Sequence, residues 1–401
     1  MSHQRFQSDP ALRRFAESLA PYDDDHHTGN LRSALSWNRR SALWSPESWL
    51  GGPLSTERRA KKGEAALLRR GKRSSGFRIA DGGIIGTDGR ENSNERLRFD
   101  LKVTPGGYLW WYVDALSDDG VYGLTLIAFV GSVFSPYYAF SGRHSPDNHT
   151  SVNVALYGPR GRWSMTERGV EKTTRDQVSF VVGPNSIRRR PNELSISIDD
   201  IAAPIPLKMK GNIRVHFDNI GETTYVIDRH GNHLWTPLAP TTRVEVDFSH
   251  PNVQWSGDGY LDTNQGTTPL EQEFLYWDWS RTPIGDGKTV ILYNTDFWDG
   301  DQLSAGYIID RNGETEDITP SVNAPLPSTP IWRIARRTRQ MTGPQARVVK
   351  TFEDTPFYSR SLVETSLLGA RHRGFHETFS GPRLRNPVVK SLLPFRMPRL
   401  A

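Results

Sequence analysis

From Arg96 onward the chain alternates apolar and polar residues in short runs. Leu97, Phe99, Leu101 and Val103 form one, Val152, Val154 and Leu156 a second, and Val244, Val246 and Phe248 a third. A period of two buries one face of an extended strand, whereas a helix needs apolar residues every three to four positions. Turn signals separate the runs, at Pro105-Gly106-Gly107, Asp119-Gly120, Asp258-Gly259 and Asp310-Arg311-Asn312-Gly313, and long helical periodicities are absent. The expected fold class is therefore all-β, in antiparallel barrels or sandwiches. Residues 122–134, YGLTLIAFVGSVF, are too few to span a bilayer. Their β-branched and aromatic content predicts a strand buried on both faces.

At 401 residues the chain can bury more than one core, and two β domains are expected. Residues 108–130 and 274–297 each place an aromatic strand before an Asp-Gly turn and an apolar strand, a weak internal repeat. The expected division is a tail at 1–94 and β domains at 95–240 and 241–401, with the junction near 237–247. The tail lacks either periodicity and is rich in Arg, Ser, Gly and Asp, so disorder is expected there. Its densest basic cluster is RRAKKGEAALLRRGKR at 58–73.

Cysteine is absent, which excludes disulfides, thiolate metal sites and a cysteine nucleophile. The DDDHH run at 23–27 offers adjacent ligands in a flexible segment, which cannot enforce a coordination geometry. No metal and no cofactor are expected, and no glycine-rich phosphate loop stands in a strand-to-helix context. The N-terminal residues have no apolar signal core and no run reaches about 18 apolar residues, so a cytoplasmic setting is expected. Charge is uneven: residues 1–94 hold 16 Lys+Arg and 11 Asp+Glu, 95–330 hold 20 and 30, and 331–401 hold 14 and 4. Basic ends flanking an acidic middle suit an anionic membrane surface, although ordinary solvated charge gives the same pattern. Nucleic acid is not expected as a partner, because the folded region is acidic and no nucleic-acid-binding signature appears.

The candidate site lies in NHLWTPLAPTTRVEVDFSHPNVQWSGDGYLDTNQG, residues 232–266. If both ends are strands, His233 shares a face with Trp235, and Tyr260 with Asp262. A carboxyl group enclosed by aromatic rings suits acid chemistry on an unactivated double bond. Burial raises its pKa, and ring faces support a carbocation. Moving an aspartate from about 3.9 to about 6 costs about 3 kcal/mol, within the range of buried carboxyls. The bland alternatives are a turn-capping Asp262 and core-packing Tyr260 and Trp235.

The segments HLW, WSGDGYLDTNQGTTPLEQEFLYWDWSR, WWYVDALSDDG, GSVFSPYYAF, VNVALYG and WSMTERG stand in one order from about Arg96 to the C-terminus. In these the chain closely resembles the bacterial carotenoid 1,2-hydratases, or hydroxyneurosporene synthases. The resemblance implies two tandem lipocalin-like antiparallel β-barrels after the disordered basic tail. It also implies a cofactor-independent hydro-lyase that adds water to the 1,2 double bond of acyclic carotenoids such as neurosporene and lycopene. Asp262 would be the general acid, and Tyr260 and Trp235 would line the cation's path. His233 would either hold the Asp262 proton or take a proton from the attacking water. Trp255, Tyr276, Trp277 and Trp279 are candidate polyene contacts. Asp114, Glu167, His376 and Glu377 also stand in these motifs, where cross-strand hydrogen bonding is the expected role. A lipid-dissolved substrate implies peripheral attachment to the inner membrane. The alternative is a lipocalin-like carrier that binds a hydrophobic ligand without chemistry.

Overall fold

The computed structural model describes residues 78–79 and 96–400, apart from 321. The rest of the expected tail, with the basic cluster at 58–73 and the run at 23–27, lies outside the described residues. Within it, β1 (Arg78–Ile79) is a strand and not a disordered segment.

The first sheet is built from β2 (Tyr108–Ser117), β3 (Gly123–Val130), β4 (Thr150–Tyr157), β5 (Arg162–Arg168), β6 (Thr173–Arg175), β7 (Ser179–Val182), β8 (Asn185–Arg190), β9 (Glu193–Ile201) and β10 (Lys208–His216), followed by β11 (Tyr225–Val226), β12 (His233–His250) and β13 (Asn252–Gly266). Its order is β5-β4-β3-β2-β13-β12-β10-β9-β8-β7-β6, with β1 and β11 attached beside β12. The long hairpin β12–β13 thus slots between β10 and β2. The sheet curls into a nearly closed barrel: Thr166 on β5 donates to Asp200 on β9 at 2.9 Å, and the Ala203 N–H reaches the Trp163 carbonyl at 2.8 Å.

The second sheet contains β14 (Phe274–Gly285), β15 (Lys288–Phe297), β16 (Gln302–Asp310) and β17 (Thr315–Asp317), with a separate ribbon of β18 (Val322–Leu326) and β19 (Arg336–Gln340), then β20 (Arg347–Asp354), β21 (Tyr358–Leu367) and β22 (Ala370–Ser380). Its order is β17-β16-β15-β14-β22-β21-β20. Helices are short: α1 (Pro136–Phe140), α2 (Leu270–Glu273), α3 (Gly381–Arg385) and α4 (Pro387–Leu392), the last leading into a 3-10 turn at Leu393–Phe395.

Three expectations change in detail. The division expected after residue 240 falls inside β12, which belongs wholly to the first sheet; the change of sheet comes at 267–273. Leu97, Phe99, Leu101 and Val103 are buried in alternation, yet they form no strand. The Arg175 guanidinium donates to the Phe99 and Leu101 carbonyls, at 2.7 Å each, where a neighbouring strand would otherwise be needed. Asp258-Gly259 is not a turn but part of β13. A side chain at Gly259 would press on Thr242 and the Asp114 carbonyl, so the glycine serves close cross-strand approach.

Strands β2, β3 and β4 are apolar on both faces, and this places two cores back to back. Leu109, Trp111 and Val113 of β2 point into the barrel with Phe99, Phe180 and Phe248. Tyr108 and Tyr112, on the opposite face, pack with Trp279, Tyr293, Phe375 and Phe379 of the second sheet. The expected two-face burial of 122–134 holds throughout β3. The second sheet therefore covers what would otherwise be an exposed aromatic surface. Truncating a barrel-core ring should leave that second face alone. Phe180→Ala, which removes a ring stacked against Phe99 at 6.2 Å, should lower stability by about 3–5 kcal/mol in a denaturant melt.

Candidate active site

The β12–β13 ladder aligns Trp235 with Asn264 and Pro237 with Asp262. Trp235 therefore lies diagonal to Asp262 on the same face, within reach of a long side chain. Its indole N–H donates to Asp262 Oδ2 at 3.0 Å, and the Tyr260 hydroxyl donates to the same oxygen at 2.9 Å. Asn264 Nδ2 approaches the other oxygen, Oδ1, at 3.3 Å. With Oδ2 already taken by two donors, Oδ1 is the oxygen left to carry the proton when the acid is neutral.

Asp262 is 3% exposed and lines a narrow cavity between the two sheets. Aromatic side chains make most of the wall: Trp110 and Tyr112 from β2, Phe129 from β3, Trp277 and Trp279 from β14, and Tyr358 from β21. The indole N–H groups of Trp277 and Trp279 have no hydrogen-bond partner among the described residues. Asp262, Asn264 and Glu377 are the non-aromatic polar residues of the wall.

Burial drives the Asp262 carboxyl well above the usual carboxylate range, against the pull of the Tyr260 and Trp235 hydrogen bonds; the negative charges of Glu377 and Asp114 push the same way as burial. The nearby cations are committed elsewhere. Arg281 pairs with Asp114, and Arg360 pairs with Glu377 and Glu353. Tyr112 joins these groups, its hydroxyl lying 2.8 Å from Glu377 and 3.1 Å from Asp114. Three of the four carboxyls thus share two guanidinium groups, and among the described residues Asp262 is the one without an arginine.

The other expected site residues separate into three groups. Trp277 and Trp279 line the cavity with Asp262. Trp235 and Tyr260 stand behind Asp262 as its donors and are not part of the cavity wall. His233 is buried with Tyr108 at 2.9 Å from Nδ1 and Thr268 at 3.2 Å from Nε2, and no hydrogen bond joins it to Asp262 among the described residues. Burial lowers its pKa to about 4, outweighing the nearby Asp228, so the ring is neutral near pH 7. Trp255 packs against the barrel core and stacks on Tyr122, away from the cavity. Tyr276 donates to the Ala335 carbonyl at 2.9 Å and does not line the cavity either.

Sequence reasoning missed Arg281, Arg360, Tyr112 and Asn264, and gave Asp114 and Glu377 no step. The available signal was a charge spaced two residues from an aromatic within a strand, as in Tyr112–Asp114 and Trp279–Arg281. Such a residue shares the aromatic's buried face and must find a partner there.

The raised Asp262 pKa has a signed consequence for stability. The folded state holds a proton that the unfolded state gives up at ordinary carboxyl pH, so this contribution is complete at low pH and is lost as pH rises through the folded pKa. Asp262→Asn should therefore remove part of the decline in stability with rising pH, and should be at least as stable as the wild type near pH 7. Denaturant melts across pH check both.

Comparison with known sequences places the chain in a family. The family model of the carotenoid hydratase CrtC matches residues 126–401. An acyclic carotenoid 1,2-hydratase from Thiocapsa roseopersicina is 46% identical over 379 residues, covering 94% of this chain and 93% of that protein. The similarity therefore extends well before Arg96, into the segment expected to lie outside it. A protein of the same name from Rubrivivax gelatinosus is 46% identical over 311 residues, 76% of each chain. Among solved structures, a putative AttH from Nitrosomonas europaea has 14% sequence identity and a TM-score of 0.47, covering 68% of this chain and 92% of that one. The extent of the first two matches and of the family model leaves one assignment: this chain belongs to the carotenoid hydratase CrtC family.

Proposed function

We propose that this protein is an acyclic carotenoid 1,2-hydratase, a cofactor-independent hydro-lyase acting on substrates such as neurosporene and lycopene. The observation that carries the mechanism is Asp262: a carboxyl with no cation partner among the described residues, held by two neutral donors at the wall of an aromatic cavity. Its proton goes to carbon 2 of the terminal double bond and leaves a tertiary cation at carbon 1. Water then adds there to give the 1-hydroxy-1,2-dihydro product.

Tyr260 and Trp235 act through Asp262. Their hydrogen bonds to Oδ2 are worth most when the carboxylate charge appears, which is the moment of proton transfer. Trp277 and Trp279 present the rings that face the cation, each contributing roughly 0.5–2 kcal/mol when water is excluded. His233, bonded to Tyr108, fixes the start of β12 and so the position of Trp235. The matching aromatic hairpins β2–β3 and β14–β15 support reading the two sheets as tandem lipocalin-like halves behind a basic tail.

The substrate dissolves in lipid, so the protein must meet the cytoplasmic face of the inner membrane. No helix among the described residues is long and apolar enough to cross a membrane. The C-terminal segment supports peripheral attachment. Val389 and Leu393 pack inward with the inter-sheet core, while Val388, Leu392 and Phe395 turn an apolar stripe to solvent, with Val388 66% and Phe395 75% exposed. Arg383, Arg385 and Arg396 surround that stripe in the sequence and suit anionic headgroups. Phe395→Glu combined with Val388→Glu should reduce cosedimentation with anionic vesicles without changing the denaturation midpoint. High salt should reduce wild-type binding as well, to the extent that charge contributes.

The reaction is tested with liposomal lycopene or neurosporene in deuterated water. The wild type should give a hydroxylated product with deuterium at carbon 2, and Asp262→Asn should lose at least about 100-fold in rate. Carotenoid that is bound but unchanged by both proteins would instead favour a carrier.

A further inference from the structure

The cavity has a second carboxyl on its opposite wall. Asp262 belongs to β13 of the first sheet, and Glu377 to β22 of the second, where it lies across the ladder from Trp279. Arg360 Nε and the Tyr112 hydroxyl both lie 2.8 Å from Glu377 Oε1. Arg360 is fully buried and donates a charge-assisted hydrogen bond to Glu377. With these two donors on Oε1 and the Tyr358 hydroxyl also hydrogen-bonded to the carboxylate, three of about four acceptor sites are used and one remains for a water in the cavity. Purely structural pairing would not need the carboxylate at the cavity wall. Glu353, the other acid on Arg360, serves such pairing without lining this cavity.

Building on the hydratase reading, we infer that Glu377 is the second catalytic carboxyl: it orients the attacking water and takes its proton. Asp262 gives its proton to carbon 2, and the π electrons of the double bond form the new C–H bond. The oxygen lone pair of water forms the C–O bond at carbon 1, and the resulting oxonium releases one proton to Glu377. Addition of the elements of water to the double bond is complete, and a proton passed through solvent from Glu377 back to Asp262 restores the enzyme. An alkyl oxonium is a strong acid, so a carboxylate is a sufficient base for its proton. Before water adds, the same negative charge faces the cation from the wall opposite Asp262, in a site with little water to screen it.

The two carboxyls then differ in a measurable way. Without Asp262 no cation forms. Without Glu377 the cation forms, is not captured, and returns a proton from carbon 2 to the Asp262 carboxylate. In deuterated water that reversal leaves deuterium at carbon 2 of unhydrated carotenoid.

The experiment compares wild type, Glu377→Gln and Glu377→Asp with liposomal lycopene in deuterated water, using mass spectrometry of both product and recovered substrate. Glu377→Gln should form product about 100-fold more slowly, while deuterium enters the recovered lycopene at a rate within a few-fold of Asp262-dependent turnover in the wild type. Unchanged product formation overturns the inference. So does joint loss of product and exchange in a variant that melts cooperatively like the wild type, because Glu377 would then act only by supporting Asp262. If Glu377→Gln does not fold, Glu377→Asp decides, since it keeps the charge opposite Arg360 and withdraws the carboxylate by one methylene. Slower hydration with exchange retained supports the role, and an unchanged rate overturns it. A wild type that yields neither product nor exchange would fail the hydratase reading itself, a separate outcome.

Discussion

A sheet that is apolar on both faces must be covered twice, and this requirement organises the molecule. One face of β2, β3 and β4 closes on the barrel interior through Leu109, Trp111 and Val113. The other carries Tyr108, Tyr112 and Phe129 and would expose a broad aromatic surface if the second sheet did not lie over it. The cavity forms where that cover is incomplete. It is therefore a seam between two sheets, and its walls come from strands far apart in sequence.

The same seam sets the electrostatics. Polar side chains on the inner faces lose water and must satisfy one another, so Asp114 meets Arg281, and Glu377 and Glu353 share Arg360. Each of these pairs is strongly coupled, because removing one partner leaves a buried charge uncompensated. Among the described residues, Asp262 stands apart with hydroxyl, indole and amide donors only. A cluster with more carboxyls than guanidinium groups favours a proton on one acid, and the acid without a cation is the one that keeps it. The proposed reactivity would rest on the same allocation of two arginines as the stability of the seam.

Much of the fold was legible residue by residue. Alternation identified β4 and the buried run of β3, and the pairs His233/Trp235 and Tyr260/Asp262 do lie on adjacent antiparallel strands. The errors have definite causes. Residues 97–103 alternate without a ladder because a side chain, Arg175, satisfies their carbonyls. Asp258-Gly259 resembles a turn, but its glycine instead permits close strand packing. Residue 240, where the division was expected, lies within a bulge-containing strand of 18 residues. At the site, Trp235 and Tyr260 looked like wall residues because they are aromatic, whereas their polar atoms turn toward Asp262 and their rings pack behind it.

The sequence alone determined the strand periodicity, the pairing of Trp235, Tyr260 and Asp262 on one face, and the family motifs, because these depend on neighbours along a strand or across one hairpin. Only the tertiary structure decided which acid lacks a cation, where Glu377 stands, and that His233 is tied to Tyr108 and Thr268. Those properties depend on contacts between different strands and loops, several of them more than a hundred positions apart, as in Tyr112 with Glu377 and Asp114 with Arg281. Burial and charge pairing are set by all the strands that enclose a group, and no local pattern encodes them.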